Sequence, residues 1–292
     1  MGGGNVEPQP RRPAMRSRLA FATIAVVAVL QTATGAESTA FAEAQWNDNV
    51  SNGTKASDRI GAVQLAAAGT IARRSALAPN ILGAAEAAIR TVTAPRYPDL
   101  ALVSAAAVGR VEDKLGLGPF ASSFWLEASA GARFARDSNR SSYDFAAAAG
   151  WRRRLDEMTT VLIGLKSELI AAQADVYRRR FTTLDAEVRR SVSPAIELFA
   201  GAKLFRGDVV AYATPPRPDL VALARTRMPV STFGRPMIAY SIWANACSGE
   251  VGAAWRVGPA TSLELRYEYR ETSRRPLRYR NQLVTVSVLH QL

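Results

Sequence analysis

The sequence predicts an all-β fold, an antiparallel transmembrane β-barrel of about eight strands, with about ten as the alternative. Three observations predict it. The first is alternation. In Leu263, Leu265, Tyr267 and Tyr269 every second residue is apolar, and Glu264, Arg266, Glu268 and Arg270 carry charge of alternating sign between them. Successive strand side chains point to opposite faces, so one face is apolar and the other is a ladder of ion pairs. The second is length: the alternating runs extend for about ten residues or more, as a tilted spanning strand requires, against ~5–6 in soluble sheets. The third is the connections. Short turns at Asp156, Pro194 and Pro259 fall on one side, and longer ones at Asn139, Arg178, residues 207–236 and Ser273 fall on the other. Alternation alone also suits a soluble sandwich. Strand length and the confinement of charge to one phase favour a barrel with apolar residues outward and charge within.

At the start of the chain, Arg11, Arg12, Arg16 and Arg18 precede the apolar run Leu19 to Leu30, and small residues lead to Ala40-Phe41-Ala42. That order predicts a secretory signal peptide over residues 1–42. The apolar run is too short for the ~20 residues of a spanning helix. Residues 43–120 read as a separate N-terminal segment, periplasmic or plugging the barrel. Its lead-in, Glu43 to Asp58, is polar, and an alanine-rich, partly helical stretch follows. Ile81, Leu82, Ala85, Ala87, Ala88 and Ile89 suit a short helix opening at Pro79-Asn80. Ile60 to Ile71 suits a helix or an alanine-rich strand, and Leu100 to Val111 suits a strand. If both are strands, the count rises from about eight to about ten.

The barrel is expected over residues 121–292. Phe124, Leu126 and Phe134 share one phase, as do Tyr143 and Phe145, Ile163 and Leu165, Leu184 and Val188, and Leu198 and Leu204. The opposite phase supplies a lumen charge network: Glu127, Arg133, Lys166, Glu168, Asp185, Glu187, Arg189, Glu264, Arg266, Glu268 and Arg270. Trp151 and Trp255 lie just before short turns, where interfacial aromatics belong. Residues 207–236 hold several prolines and no sustained period. They read as a large loop with a short helix around Leu220 to Ala224.

The last strand ends on Val284, Val286, Val288, His290 and Leu292 in one phase. This resembles the C-terminal signal of bacterial outer-membrane β-barrel proteins, and Ser122 to Leu292 resembles the small, porin-like members of that group. The likeness is one of pattern. It implies residence in the bacterial outer membrane and recognition of the C-terminal strand by the barrel insertion machinery. The long-loop side would then meet lipopolysaccharide, whose phosphates suit Arg178, Arg179, Arg180, Arg274 and Arg275.

The formal net charge is +12, and removing the leader's four arginines and two glutamates lowers it to +10. A basic balance usually suggests nucleic acid, but export argues against that partner. The only histidine, His290, sits at the short-turn end in the outward phase, so a histidine-based hydrolase is not expected. No metal site or cofactor motif is present in the sequence. The lone Cys247 has no intramolecular partner. The expected function is a non-enzymatic barrel serving envelope structure, surface interaction or limited passage of small solutes. The alternative is an accessory in export or surface assembly of a polymer or protein, with the N-terminal segment touching a periplasmic partner.

Overall fold

The computed structural model describes residues 36–292. Thirteen strands follow in chain order among them: β1 (Glu37–Asn47), β2 (Ala62–Ala78), β3 (Ile81–Thr93), β4 (Leu102–Leu115), β5 (Ser122–Ala135), β6 (Ser142–Arg154), β7 (Thr159–Ala172), β8 (Arg179–Ser193), β9 (Ile196–Ala213), β10 (Thr226–Val230), β11 (Met237–Arg256), β12 (Thr261–Arg274) and β13 (Leu277–Gln291). One α-helix, α1 (Pro218–Leu223), lies between β9 and β10. All strands but β10 form the wall. Each pairs antiparallel with its neighbour along the chain, β9 pairs with β11, and β13 returns to β1. The sheet therefore has no free edge around its circumference.

The wall's two faces differ in chemistry. Leu126, Phe134 and Tyr143 are 67%, 66% and 65% exposed to solvent, and all lie on the outward register. Withholding such a side chain from water is worth ~1.5–3 kcal/mol, so a belt of them requires a hydrocarbon surrounding. Among the described residues no helix is long and apolar enough to cross a membrane. Connections differ between the ends, although at the long-loop end Ser273 lies within β12, and the longer connection expected there is the two-residue turn Arg275-Pro276. Pro79-Asn80 and Pro194-Ala195 are two-residue turns at the end that also holds both termini of the wall, whereas residues 48–61 and 214–236 are long loops at the other end.

The strand count corrects the sequence reading. The eight strands expected from Ser122 onward are all present, as β5 to β9 and β11 to β13, but the barrel has four more. The ten-strand alternative adds β2 and β4 and still omits β1 and β3. The expected helix at Ile81 to Ile89 is β3, joined to β2 by the tight turn at Pro79-Asn80. Alanine's helix preference is at most ~0.7 kcal/mol per residue. Two full ladders of hydrogen bonds, β3 to β2 and β3 to β4, outweigh it. Residues 43–120 are thus neither plug nor periplasmic domain, and the surface offered to a periplasmic partner is taken up in the wall. Of the predicted leader, residues 1–35 lie outside the described residues. Its predicted end at Ala42 falls inside β1, where Ala42 pairs with Val288 on one side and Ala67 on the other.

A proline at Ala67 in the middle of β2 removes a ladder donor where the strand is paired on both sides. Ala67→Pro is expected to abolish the heat-modifiable gel mobility of the membrane-extracted protein. A variant that still migrates as a folded barrel would return residues 43–120 to the status of a detached segment.

Candidate functional site: the lumen and its closed mouth

β9 and β11 are the longest strands, at 18 and 20 residues. Their upper parts outrun the wall: the β8 ladder stops at Gly207 and the β12 ladder at Asn245. Beyond those points β9 and β11 pair with each other, and β10 adds to β11. At Gly207 the backbone passes so close to Phe181 and to the Arg180 carbonyl that a Cβ would collide with both. Glycine is therefore required where the hairpin leaves the wall.

This tip is buried on both faces. One register, with Ala211, Tyr240 and Ile242, packs against Leu220 of α1 and against Leu277 and Tyr279 of β13. The other, with Val210, Tyr212 and Ala239, packs with Phe233 against Tyr97 and Leu100 from the β3–β4 connection and Val176 and Tyr177 from the β7–β8 connection. Phe233 meets Tyr212 and Tyr97 edge-on at 5.0 and 5.3 Å. In the twelve-stranded ring the β3–β4 connection stands diametrically opposite the β9–β11 pair. The tip therefore crosses the full width of the mouth.

Polar contacts latch it. Tyr212 donates its N–H to the Ser51 carbonyl, and Asn52 donates to the Val210 carbonyl, fixing the β1–β2 loop to the hairpin. Arg217, almost wholly buried, donates to Asp58 at 2.9 Å, to Asp219 at 2.7 Å and to Thr54 at 2.6 Å. Asp58 also accepts the N–H of Thr214. Removing one member of such a buried pair costs ~3–5 kcal/mol, because the other charge is left unsolvated. Bonding to Arg217 holds the Asp219 carboxyl below the usual carboxylate range. The latch therefore has its full strength above that range and weakens as pH falls through the depressed value.

Beneath the tip lies a cavity of about 280 Å³ lined by Arg179, Lys203, Arg270, Phe181, Phe205, Tyr279 and neighbouring hydroxyls. Farther down, the inward registers of β8, β9, β11 and β12 carry a dense ion network. Glu250, 3% exposed at its side chain, binds Lys203 at 2.8 Å and Arg266 at 3.1 Å. Arg266 also binds Glu264 at 2.9 Å, and Arg270 binds Glu268 at 2.8 Å. Arg189 joins Glu187 to Glu197. Phe199 lies between the guanidinium groups of Arg189 and Arg266, 5.1 and 5.0 Å from its ring centre. Its ring rests on Gly252, directly opposite in the ladder, where a Cβ would strike it. Trp125 covers Gly150 in the same way and carries Arg110 at 4.5 Å.

All eleven residues assigned from sequence to the charge network lie on the inward register. Arg133 pairs with Asp144 and Lys166 with Glu168, while Glu127 stands opposite Arg110 in the ladder. Asp185 faces Lys203 across its ladder. Arg152, Glu197, Lys203 and Glu250, which the alternation also puts in the polar phase, join the network, and Arg110 and Glu112 of β4 are the members that sequence reasoning missed. Phe199 and Trp125 gave no such signal, since each is an aromatic in the polar phase. Trp151 and Trp255 lie on the outward register near the short-turn end. Of the arginines expected to face lipopolysaccharide, Arg178 lies in the β7–β8 loop, Arg180 faces outward at the rim and Arg275 sits in a tight turn. Arg274 donates to the Trp243 carbonyl. Arg179 departs from that group: one position along the strand from Arg180, it points into the lumen and lines the cavity.

The Phe199–Gly252 contact makes a measurable demand. Gly252→Ala is expected to displace the ring and its two arginines and to cost ~1–3 kcal/mol. The temperature at which folded mobility is lost should fall, and Phe199→Ala in the same chain should recover part of that loss. Additive losses would show that the ring does not rest on Gly252.

Neither a scan against protein-family models nor a search of curated proteins finds a match for the chain. Solved structures do. An outer membrane channel from Pseudomonas putida F1 superposes with a TM-score of 0.60 at 10% identity, covering 89% of this chain and 97% of that one. The NanC porin superposes with a TM-score of 0.44 at 8% identity, covering 87% of this chain and all of that one. The superposition on the outer membrane channel shows that the chain has an outer-membrane β-barrel fold.

Proposed function

We propose that the chain is a non-enzymatic barrel of the bacterial outer membrane that passes small polar solutes, with its mouth closed at rest by the extended β9–β11 hairpin. The observation that carries this reading is the pairing of a wide, charge-lined lumen with a separate element that stops it. Barrel diameter grows with strand number, and about eight strands already fill with side chains. Twelve leave space, and that space is occupied at the mouth by a hairpin held through one glycine and one arginine latch rather than by the wall itself. A barrel serving only as a structural post has no use for a closure separable from its scaffold.

In this reading the long loops face outward and the termini of the wall lie in the periplasm. The exposed Arg180 and Arg275 then meet lipopolysaccharide phosphates, and β13 is the strand that the insertion machinery takes up. Export also requires that the leader be removed without damage to β1. A cut after Ala36, which follows the small residues Thr34 and Gly35, leaves β1 whole from Glu37. Mass measurement of the mature N-terminus is expected to find Glu37 first; a chain starting at Glu43 would contradict this placement, since six paired residues would be gone.

Planar-bilayer recording tests passage. Replacing residues 208–243 with a short Gly-Ser turn keeps the β9 and β11 wall ladders and removes the tip. The variant is expected to show large, steady conductance where the intact protein shows small or infrequent openings. If the tipless barrel folds, by heat-modifiable mobility, and carries no current, the passage reading fails.

A further inference from the structure

The cavity under the hairpin tip holds an imbalance that the fold itself does not resolve. Three cations reach it, and two are answered: Lys203 by Glu250 at 2.8 Å and Arg270 by Glu268 at 2.8 Å. Arg179 is not. Among the described residues no hydrogen bond or ion pair engages its guanidinium, which makes only a loose stack over Phe181, 5.9 Å from the ring centre. Its surroundings worsen its position. Arg133 and Arg140 lie close enough to repel it, and Glu168 supplies a nearby negative charge without touching it. Arg140 itself keeps one buried Nη1 without a partner. A guanidinium carries five donors in a rigid fork that matches a carboxylate in two parallel bonds. Facing the cavity, that fork is free to take one.

The remainder of the lining sets the shape of what would answer it. Phe181 and Phe205 form a tilted pair with ring centres 5.1 Å apart, and Tyr279 adds a third ring. Thr183, Ser248 and Thr272 contribute hydroxyls, and the one acid in the lining, Asp208, is taken up by Arg225 at 2.9 Å and by the Arg180 N–H at 3.0 Å. About 280 Å³ is near the lower end of small-molecule pockets, ~300–1,000 Å³. One wall is therefore cationic and forked, one is aromatic, and the space between suits a single compact molecule.

We propose that this cavity is a binding site for a small organic carboxylate, whose charged end is held by the Arg179 fork and whose apolar face lies on Phe181 and Phe205. The site names the solute class of the passage reading and depends on that reading for its use, but binding and passage are separable. A solute held there sits directly under the tip, against the inward faces of β8, β9 and β11.

Titration calorimetry on the full-length protein in detergent, with benzoate as probe and benzyl alcohol as its neutral counterpart, tests the site without any flux. The intact protein is expected to bind benzoate saturably, more weakly as salt rises, and to bind benzyl alcohol at least tenfold less well. Arg179→Gln should weaken benzoate at least tenfold, whereas Arg90→Gln on the far wall should leave it unchanged. Arg179→Lys keeps the charge and loses the fork, and an intermediate, several-fold loss is expected; it serves in place of Arg179→Gln if that variant lacks folded mobility. No saturable benzoate binding, equal binding by the Arg179 variants, or equal binding of benzyl alcohol overturns the site. Failure of the tipless barrel to conduct would overturn passage and leave the binding result standing.

Discussion

An N–H or C=O left unpaired in hydrocarbon costs several kcal/mol, so a sheet that crosses a membrane must close on itself. In this chain closure depends on β1, the strand that pairs with β13 on one edge and β2 on the other. From that requirement the rest follows. The wall takes in alanine-rich segments as well as the others, and outward side chains within the hydrocarbon must be apolar, while Arg180 faces outward at the rim. Charged side chains have only the lumen left to them. Once there they must neutralise each other, as Glu250 does with Lys203 and Arg266.

Closure at twelve strands sets a second problem, because the lumen is then wider than side chains alone fill. The solution uses the wall's own strands. β9 and β11 continue past the rim, Gly207 lets the chain pass close under β8, and the resulting tip reaches the connection on the opposite side. Apolar packing on both faces of the tip supplies its stability, and the Arg217 latch adds direction to it. Lumen chemistry is layered as a result: an apolar stopper, a cavity with an unanswered arginine, then a network of paired charge braced on Phe199 and Trp125.

How much of this could be read without coordinates differs sharply by region. From Ser122 onward a clean period of two marks every wall strand, because one side meets lipid and the other meets charge. In β2 the inward residues are largely alanine rather than charged, and β3 carries alanine on both faces, so the contrast between faces fades and helix preference speaks louder than pairing. β1 is obscured differently: Ala40-Phe41-Ala42 reads as a processing site, and the same residues lie in a paired strand. The extensions of β9 and β11 that build the stopper left no mark, because prolines at 215, 216 and 218 made residues 207–236 look like an open loop.

The sequence by itself determined the class of fold, the two chemical faces of the wall and the inward register of the charge network, since these depend on alternation between adjacent residues. Only the tertiary structure decided that twelve strands close the ring, that a hairpin bars the mouth, and that Arg179 faces a cavity with no ion pair among the described residues. Those outcomes arise from pairings and contacts between segments up to 250 or so residues apart, β1 with β13 above all, and no local period records which distant partner a strand will meet.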